Sequence, residues 1–288
     1  MRAPAAFAAL GPLADQIGKS GVLRLCLARD RERTAIVDQY WRIPLQVLPP
    51  SYQDEDDEAF VYLLNPTGGI VQGDRLCTDV TLMPGARSVI TTQSAAKIYR
   101  MDESYAVELN RYTLHGDAVL ECVPDQTIPF AGSRFYRATR VDLDPASTLI
   151  LTDLLAAGRV ARGERFAFER LFVEVDVRIA GERLLLDRLN LAPADGAPDR
   201  LGLWNDHAYY GTLYACSPRL DEALAGVLAE MFERRDDVYG SAGQPAPGCA
   251  IVRVLARTTW QAREALFEAW DLLRRALLDK PARELRKL

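Results

Sequence analysis

The chain has very little histidine. Only His115 and His207 occur in 288 residues, and neither has a cysteine or second histidine at metal-ligand spacing. That pattern argues against a preformed imidazole–thiolate trap for a metal, and it leaves little material for histidine-dependent catalysis. The five cysteines, Cys26, Cys77, Cys122, Cys216 and Cys249, form no CxxC pair and are odd in number. A disulfide framework is therefore not expected, and a reducing compartment fits better. No apolar run approaches 18 residues, so no membrane-crossing helix is expected. The N-terminal stretch Met1 to Ala14 is apolar, but it is rich in alanine and broken by Gly11-Pro12, too weak for a secretory core. A basic patch is also missing: the formal net charge is −5, which is unsuited to phosphate neutralisation. Neither nucleic acid nor membrane is an expected partner, and a cytoplasmic location is expected.

Strand patterns dominate the first two-thirds. Val22 to Leu27 alternates, as does Val141 to Asp144, and Val173 to Ile179 sets β-branched residues opposite charges. Turn signals punctuate them at Pro49-Pro50, Asn65-Pro66, Pro84-Gly85, His115-Gly116-Asp117, Asp144-Pro145 and Ala180-Gly181. Many short strands with such punctuation predict an all-β sandwich, barrel or solenoid. Helix enters late. Ser217-Pro218 reads as an N-cap and first helical position, followed by the stripe Leu220, Leu224, Val227, Met231. Thr258 with Gln261 reads as a capping box ahead of Leu266, Trp270, Leu273 and Leu277. Tyr239 to Gly248 reads as a loop, Cys249 to Ala256 as a strand, and Ala192 to Gly202 as a loop. The acidic run Asp54 to Glu58 and the basic C-terminus around Arg274, Arg275 and Lys280 read as solvated segments or as partner-docking charges.

Motifs with chemistry are few. Gly18-Lys19-Ser20 lacks the glycine five positions earlier that a phosphate-binding loop needs, and a strand, not a helix, follows. Three glycine- and charge-rich clusters stand out instead. Asn65-Pro66-Thr67-Gly68-Gly69-Ile70-Val71-Gln72-Gly73-Asp74 carries Gly68, Gly69 and Gly73, which mark tight turns or a close backbone approach. Thr91 to Arg100 sets Lys97, Tyr99 and Arg100 after small residues, which suits either core packing or a carboxylate from a partner. Asp153 with Arg159, Arg162 and Glu164 suits either a paired structural network or a functional cluster.

Taken in order, these stretches resemble the UreD (UreH) family. Asn65 to Leu76 is similar to its NPxGGxxxGDxL signature, and Thr91 to Arg100 to its TTQxAxKxYR segment. Leu120 to Phe130 is similar to LEWLPxxTIxF, and Gly158 to Phe166 to GRxxxGExF. Cys122 departs from that pattern, standing where the family usually has tryptophan. The likeness runs from about Gly21 into the last helix and implies one domain over 1–288, with an N-terminal extension of about 20 residues and a helix-containing part from about 217.

The implied fold is mainly β, a two-layered β-helical or sandwich-like core with a small C-terminal helical part. The implied role is non-enzymatic: binding the urease apoprotein, recruiting UreF and, through it, UreG, and supporting nickel delivery. No cofactor is expected to bind tightly, but nickel is expected in transit through the interior. Asp74, Asp153 and Glu164 are then candidate passage residues, with Arg159 and Arg162 holding the acids. Asn65, Gly68, Gly69, Gly73, Lys97, Tyr99 and Arg100 complete the candidate partner or passage set. A scaffold that carries no metal, and a β-rich carbohydrate-active enzyme using acidic residues, are the alternatives.

Overall fold

A computed structural model of the chain describes Pro4, Phe7, residues 19–53 and residues 57–285. Most of the expected N-terminal extension, most of the acidic run (Asp54 to Asp56) and the last basic residues lie outside the described residues. The described chain forms seventeen strands and two α-helices. One sheet contains β1 (Ser20–Asp30), β2 (Arg33–Arg42), β5 (Arg75–Leu82), β8 (Ala106–Leu114), β11 (Arg134–Leu143), β13 (Arg170–Ile179) and β14 (Glu182–Leu191). Its order is β14-β13-β11-β8-β5-β1-β2, parallel except at its two outer strands.

The second sheet runs through β3 (Gln46–Val47), β4 (Ala59–Leu64), β6 (Arg87–Thr92), β9 (Val119–Cys122) and β12 (Thr148–Ala156). It continues into β15 (Tyr209–Cys216), β16 (Tyr239–Ala246) and β17 (Cys249–Ala256). Two short strands, β7 (Ala96–Ile98) and β10 (Thr127–Pro129), join at one end of this sheet. From β4 to β13 the chain alternates between the sheets, so the middle of the protein is a stack of flattened coils. The β-helical course expected from the resemblance is present.

The two ends of the coils differ. At one end the turns 83–86, 115–118 and 144–147 are tight, and each coil supports the next. Asp117 accepts the N–H of Gly85 at 2.8 Å, and Asp144 accepts that of Gly116 at 2.8 Å. Gly116 has φ +58°, and a Cβ there would approach Pro84 to 2.9 Å, so glycine is required in this stack. At the other end run the long connections 65–74, 93–105, 123–133 and 157–169, which carry most of each of the four family motifs.

The second sheet is covered on both faces, and all nine positions of β12 are buried. One face packs on the first sheet, with Leu151, Ile90 and Val61 meeting Leu82, Tyr112 and Val141 in one core. The other face packs on α1 (Glu222–Glu233) and α2 (Thr259–Leu278). The Thr258–Gln261 capping box is formed, and Leu266, Trp270, Leu273 and Leu277 are buried as expected. Each such large apolar side chain contributes about 1.5–3 kcal/mol on burial.

Three expectations are corrected. The first helix begins at Asp221, whose carboxylate accepts the Leu224 N–H at 2.8 Å. The Ser217 hydroxyl accepts the Arg219 N–H at 3.2 Å, but it closes only the short turn 217–220, which ends before the helix starts. The helix is apolar nearly all round, so its sequence does not fix which stripe faces inward. Ala225, Leu228 and Phe232 do so, and Val227 is exposed. Tyr239 to Ala246 is a strand, not a loop. It sits at a sheet edge, where a register shift accommodates Pro245. Gly240 is needed there because a Cβ would meet the Phe232 ring at 2.4 Å.

The charged clusters also differ from expectation, because part of each is paired with the other. Glu58 and Arg274 are buried and joined at 2.8 Å, and Asp57 meets Lys280 at 3.2 Å. Glu121, also buried, lies 3.5 Å from Arg274 and accepts the indole N–H of Trp270. Burial, reinforced by the neighbouring Glu58, pushes the Glu121 carboxyl well above the ordinary carboxylate range. This cluster fastens α2 to the second sheet. Arg274→Ala is expected to cost about 3–5 kcal/mol, because it strands buried carboxylates, read by urea unfolding. Because the folded state holds the Glu121 proton more tightly than the unfolded chain does, this group costs stability as pH rises above about 4.5. Glu121→Gln is therefore expected to match the parent near pH 4.5 and exceed its stability at pH 8; lower stability at pH 8 would contradict this assignment.

Candidate functional site

Between the sheets, toward the motif end of the coils, lies a cavity of about 180 Å³. Its strand walls follow from register. Leu76, Glu108 and Arg137 align across β5, β8 and β11, and Thr78, Asn110 and Thr139 form the next row. All point into the inter-sheet space, along with Cys122 and Asp153 from the second sheet. Further toward the tight-turn end the same face carries Val80, Tyr112 and Val141, then Leu82, Leu114 and Leu143. Polar rows at one end of an otherwise apolar layer define the site.

The polar side chains are partly paired. Arg137 donates to the Thr127 hydroxyl at 2.9 Å and to one oxygen of Asp153. The other Asp153 oxygen is buried and has no hydrogen-bond partner. Asn110 donates to Glu108 at 2.8 Å. Burial opposes the charge of Arg137, but Asp153 and Glu108 outweigh it and raise its pKa. Cys122 meets the Tyr112 hydroxyl at 3.4 Å, and burial pushes its thiol up to about 11. That thiol stays protonated at neutral pH and is a poor metal ligand and nucleophile. Among the described residues no group of three or more His, Cys, Asp and Glu side chains forms a metal-holding cluster. Three carboxylates line the cavity: Asp125 lies 3.7 Å from Arg263, while Glu108 and Asp153 stand among the polar strand rows.

The residues singled out from sequence divide into two groups. Asn65, Gly68, Gly69, Lys97 and Asp153 line the cavity. Gly73, Asp74, Tyr99, Arg100, Arg159, Arg162 and Glu164 lie in or beside the end loops and are not among its lining residues. Asp74 is buried and bonds the Val71 N–H at 2.9 Å, with Lys19 at 3.4 Å. Burial raises its pKa against those two partners. Glu164 pairs with Arg159, which holds its carboxyl below the ordinary range. Arg159 also lies 4.4 Å over the Phe130 ring. Asp153 is held by Arg137 and not by Arg159 or Arg162, which corrects the expected pairing; Arg162 is exposed. Arg100 is exposed and bonds Asp102 at 2.8 Å.

The motif glycines let the end loops stack. Ile70 donates to the Lys97 carbonyl at 2.7 Å and Tyr99 to that of Ile70 at 2.9 Å. Gly69 lies under the Tyr99 ring, where a Cβ would come within 2.4 Å. Gly158 at φ +143° leaves only 2.7 Å between a Cβ and the Glu164 carbonyl oxygen. Asn65 closes its turn by accepting the Thr67 hydroxyl at 2.7 Å. Sequence reasoning missed Glu108, Asn110, Arg137 and Thr127. In β11 the inward Phe135, Arg137, Thr139 and Val141 alternate with the outward Tyr136 and Ala138, so apolar residues lie on both faces and the pattern does not mark which one is interior.

Fold and site together define a helix-backed, two-sheet β-solenoid with a polar pocket in its interior. The UreD urease accessory protein family model matches residues 19–287. A protein named urease accessory protein UreD from Actinomyces naeslundii is 34% identical over 269 residues, covering 93% of this chain and 98% of its own. One of the same name from Haloarcula marismortui is 34% identical over 272 residues, 94% of this chain and 91% of its own. Urease accessory protein UreD 2 of Streptomyces griseus is 33% identical over 275 residues, with 93% and 94% covered. The chain belongs to the UreD urease accessory protein family.

The two kinds of motif glycine can be separated by substitution. Gly158→Ala combines positive φ with overlap and is expected to cost about 2–4 kcal/mol. Gly163→Ala, at φ +76° with no atom within 4 Å of the added carbon, is expected to cost about 1–2 kcal/mol. Urea unfolding of both variants decides, and equal losses would contradict the stacking role of Gly158.

Proposed function

We propose that this chain is a urease maturation factor that binds the urease apoprotein and the UreF–UreG assembly and gives nickel a polar interior route towards urease. Membership of the UreD family supports the role in urease maturation. The observation that carries the finer reading is the inter-sheet cavity with an unpaired, buried Asp153 oxygen at its polar wall. A passage must bind its ion weakly enough to release it, so scattered carboxylates, hydroxyls and carbonyls suit it better than thiolates and imidazoles. Glu108, Asp153, Thr78, Thr139 and the loop residue Asn65 provide such a lining. Arg137 offsets part of the negative charge, which keeps a divalent cation from being trapped. Cys122, held as a thiol, does not convert the lining into a soft-metal site.

Partner binding in this reading uses the exposed apolar side chains. Tyr40, Trp41 and Ile43 are exposed at the edge strand β2 and just beyond it, and Trp260, 73% exposed, stands on α2. Surfaces of this kind mark protein contacts. No helix among the described residues is long and apolar enough to cross a membrane. The role is non-catalytic, in the cytoplasm, with nickel as cargo.

The test uses cells carrying a complete urease operon from which only this gene is deleted and then restored. Urease protein is expected to persist in the deletion strain without nickel and without activity, and both are expected to return on restoration. Nickel-loaded, active urease in the deletion strain would overturn the proposal.

A further inference from the structure

Two thiols in the inter-sheet core take no part in this reading. Cys216 ends β15 and Cys249 opens β17, directly opposite each other in the antiparallel ladder. Both are 0% exposed, and their sulfurs lie 3.3 Å apart. The adjoining Ser217 N–H donates to the Gly248 carbonyl at 2.9 Å. The cysteines therefore occupy a non-hydrogen-bonded pair, where Cα atoms approach to about 4.5 Å. That spacing lies within the range of about 4.4–6.8 Å that disulfides span. The turn delivering Cys249 is constrained, since Gly248 has φ +73° and a Cβ there would sit 3.2 Å from the Ser217 carbonyl oxygen. No other pair is placed this way: Cys26 and Cys77 align with Thr81 and Val22, and Cys122 contacts Tyr112.

We propose that Cys216 and Cys249 form a reversible cross-strand disulfide when the protein meets a peroxide. The Cys216 thiol hydrogen-bonds Cys249 and lowers its pKa, which makes Cys249 the first nucleophile. Its sulfur attacks one peroxide oxygen, the O–O bond breaks, and one water leaves with a sulfenic acid on Cys249. The Cys216 sulfur then attacks that sulfur, the S–O bond breaks, and a second water leaves. Two thiols give up two electrons and two protons, and the peroxide is reduced to two waters. The sulfurs close from 3.3 Å to about 2.05 Å, a movement that the edge hairpin β16–β17 can supply. The closed loop contains α1 and β16, so the bond ties the helix-bearing edge of the second sheet to its centre. A thiol reductant restores both cysteines by exchange at this bond, which makes the step reversible.

The experiment treats the full chain with hydrogen peroxide, quenches in acid, alkylates under denaturing conditions and maps the peptides by mass. A linked Cys216–Cys249 peptide, lighter by two hydrogens and lost on dithiothreitol treatment, is the expected result. A rise in thermal midpoint that dithiothreitol reverses, and that Cys216→Ser abolishes, is expected alongside. Full alkylation of both cysteines at peroxide doses that oxidise Cys26 and Cys77, or linkage of either to another cysteine, would overturn the proposal. The mapping decides on the parent protein even where the serine variant fails to fold.

Discussion

Main-chain hydrogen bonds from one coil to the next hold this protein in register. At the tight end they are relayed by Asp117 and Asp144, each capping the turn of the coil beside it. At the broad end Ile70, Tyr99, Met101 and Gly132 tie each long connection to its neighbour. Parallel stacking fixes which side chains share a row, since a slip of one residue would exchange inward for outward faces. The polar rows that face the cavity exist only because that register holds.

Stacked coils leave a sheet with two apolar faces, and the C-terminal helices resolve this by covering the outer one. Ala262, Ala265 and Ala269 bring α2 close to the sheet, and Gly211 admits Leu266, to which an added carbon would lie 3.0 Å away. Into this apolar contact the chain inserts Arg274 between Glu58 and Glu121. Buried ion pairs are costly to form and costlier to break. The cluster therefore specifies where the helix docks more than it adds net stability, and it does so with residues 216 positions apart.

Much of the fold was legible because local rules and packing agreed. The alternation in Val173 to Ile179, the Thr258–Gln261 cap and the stripe through Trp270 each had one physical solution. The glycine-dense motifs were legible as special backbone, but their ordering into one stacked end was not, since loop-to-loop contacts are invisible in a linear chain. In the stretch from Phe135 to Val141 the apolar residues Tyr136 and Ala138 face outward under Phe7, so Arg137 and Thr139 could not be read as interior. Asp74 and Glu164 stood out for their motif company and prove to hold turns, whereas Glu108 lies in no motif and lines the cavity.

The role of the cavity depends on whether its polar lining acts on nickel or only fills space. The most direct measurement is the nickel content of urease matured with the double variant Glu108→Gln, Asp153→Asn, alongside co-purification of the variant with urease. Both substitutions keep shape and remove charge. Retained co-purification with nickel content reduced roughly tenfold or more, equivalent to about 1.4 kcal/mol per factor of ten, is the predicted result. Unchanged nickel content in a stably folded, urease-bound variant would contradict a role for these carboxylates and reduce the cavity to architecture.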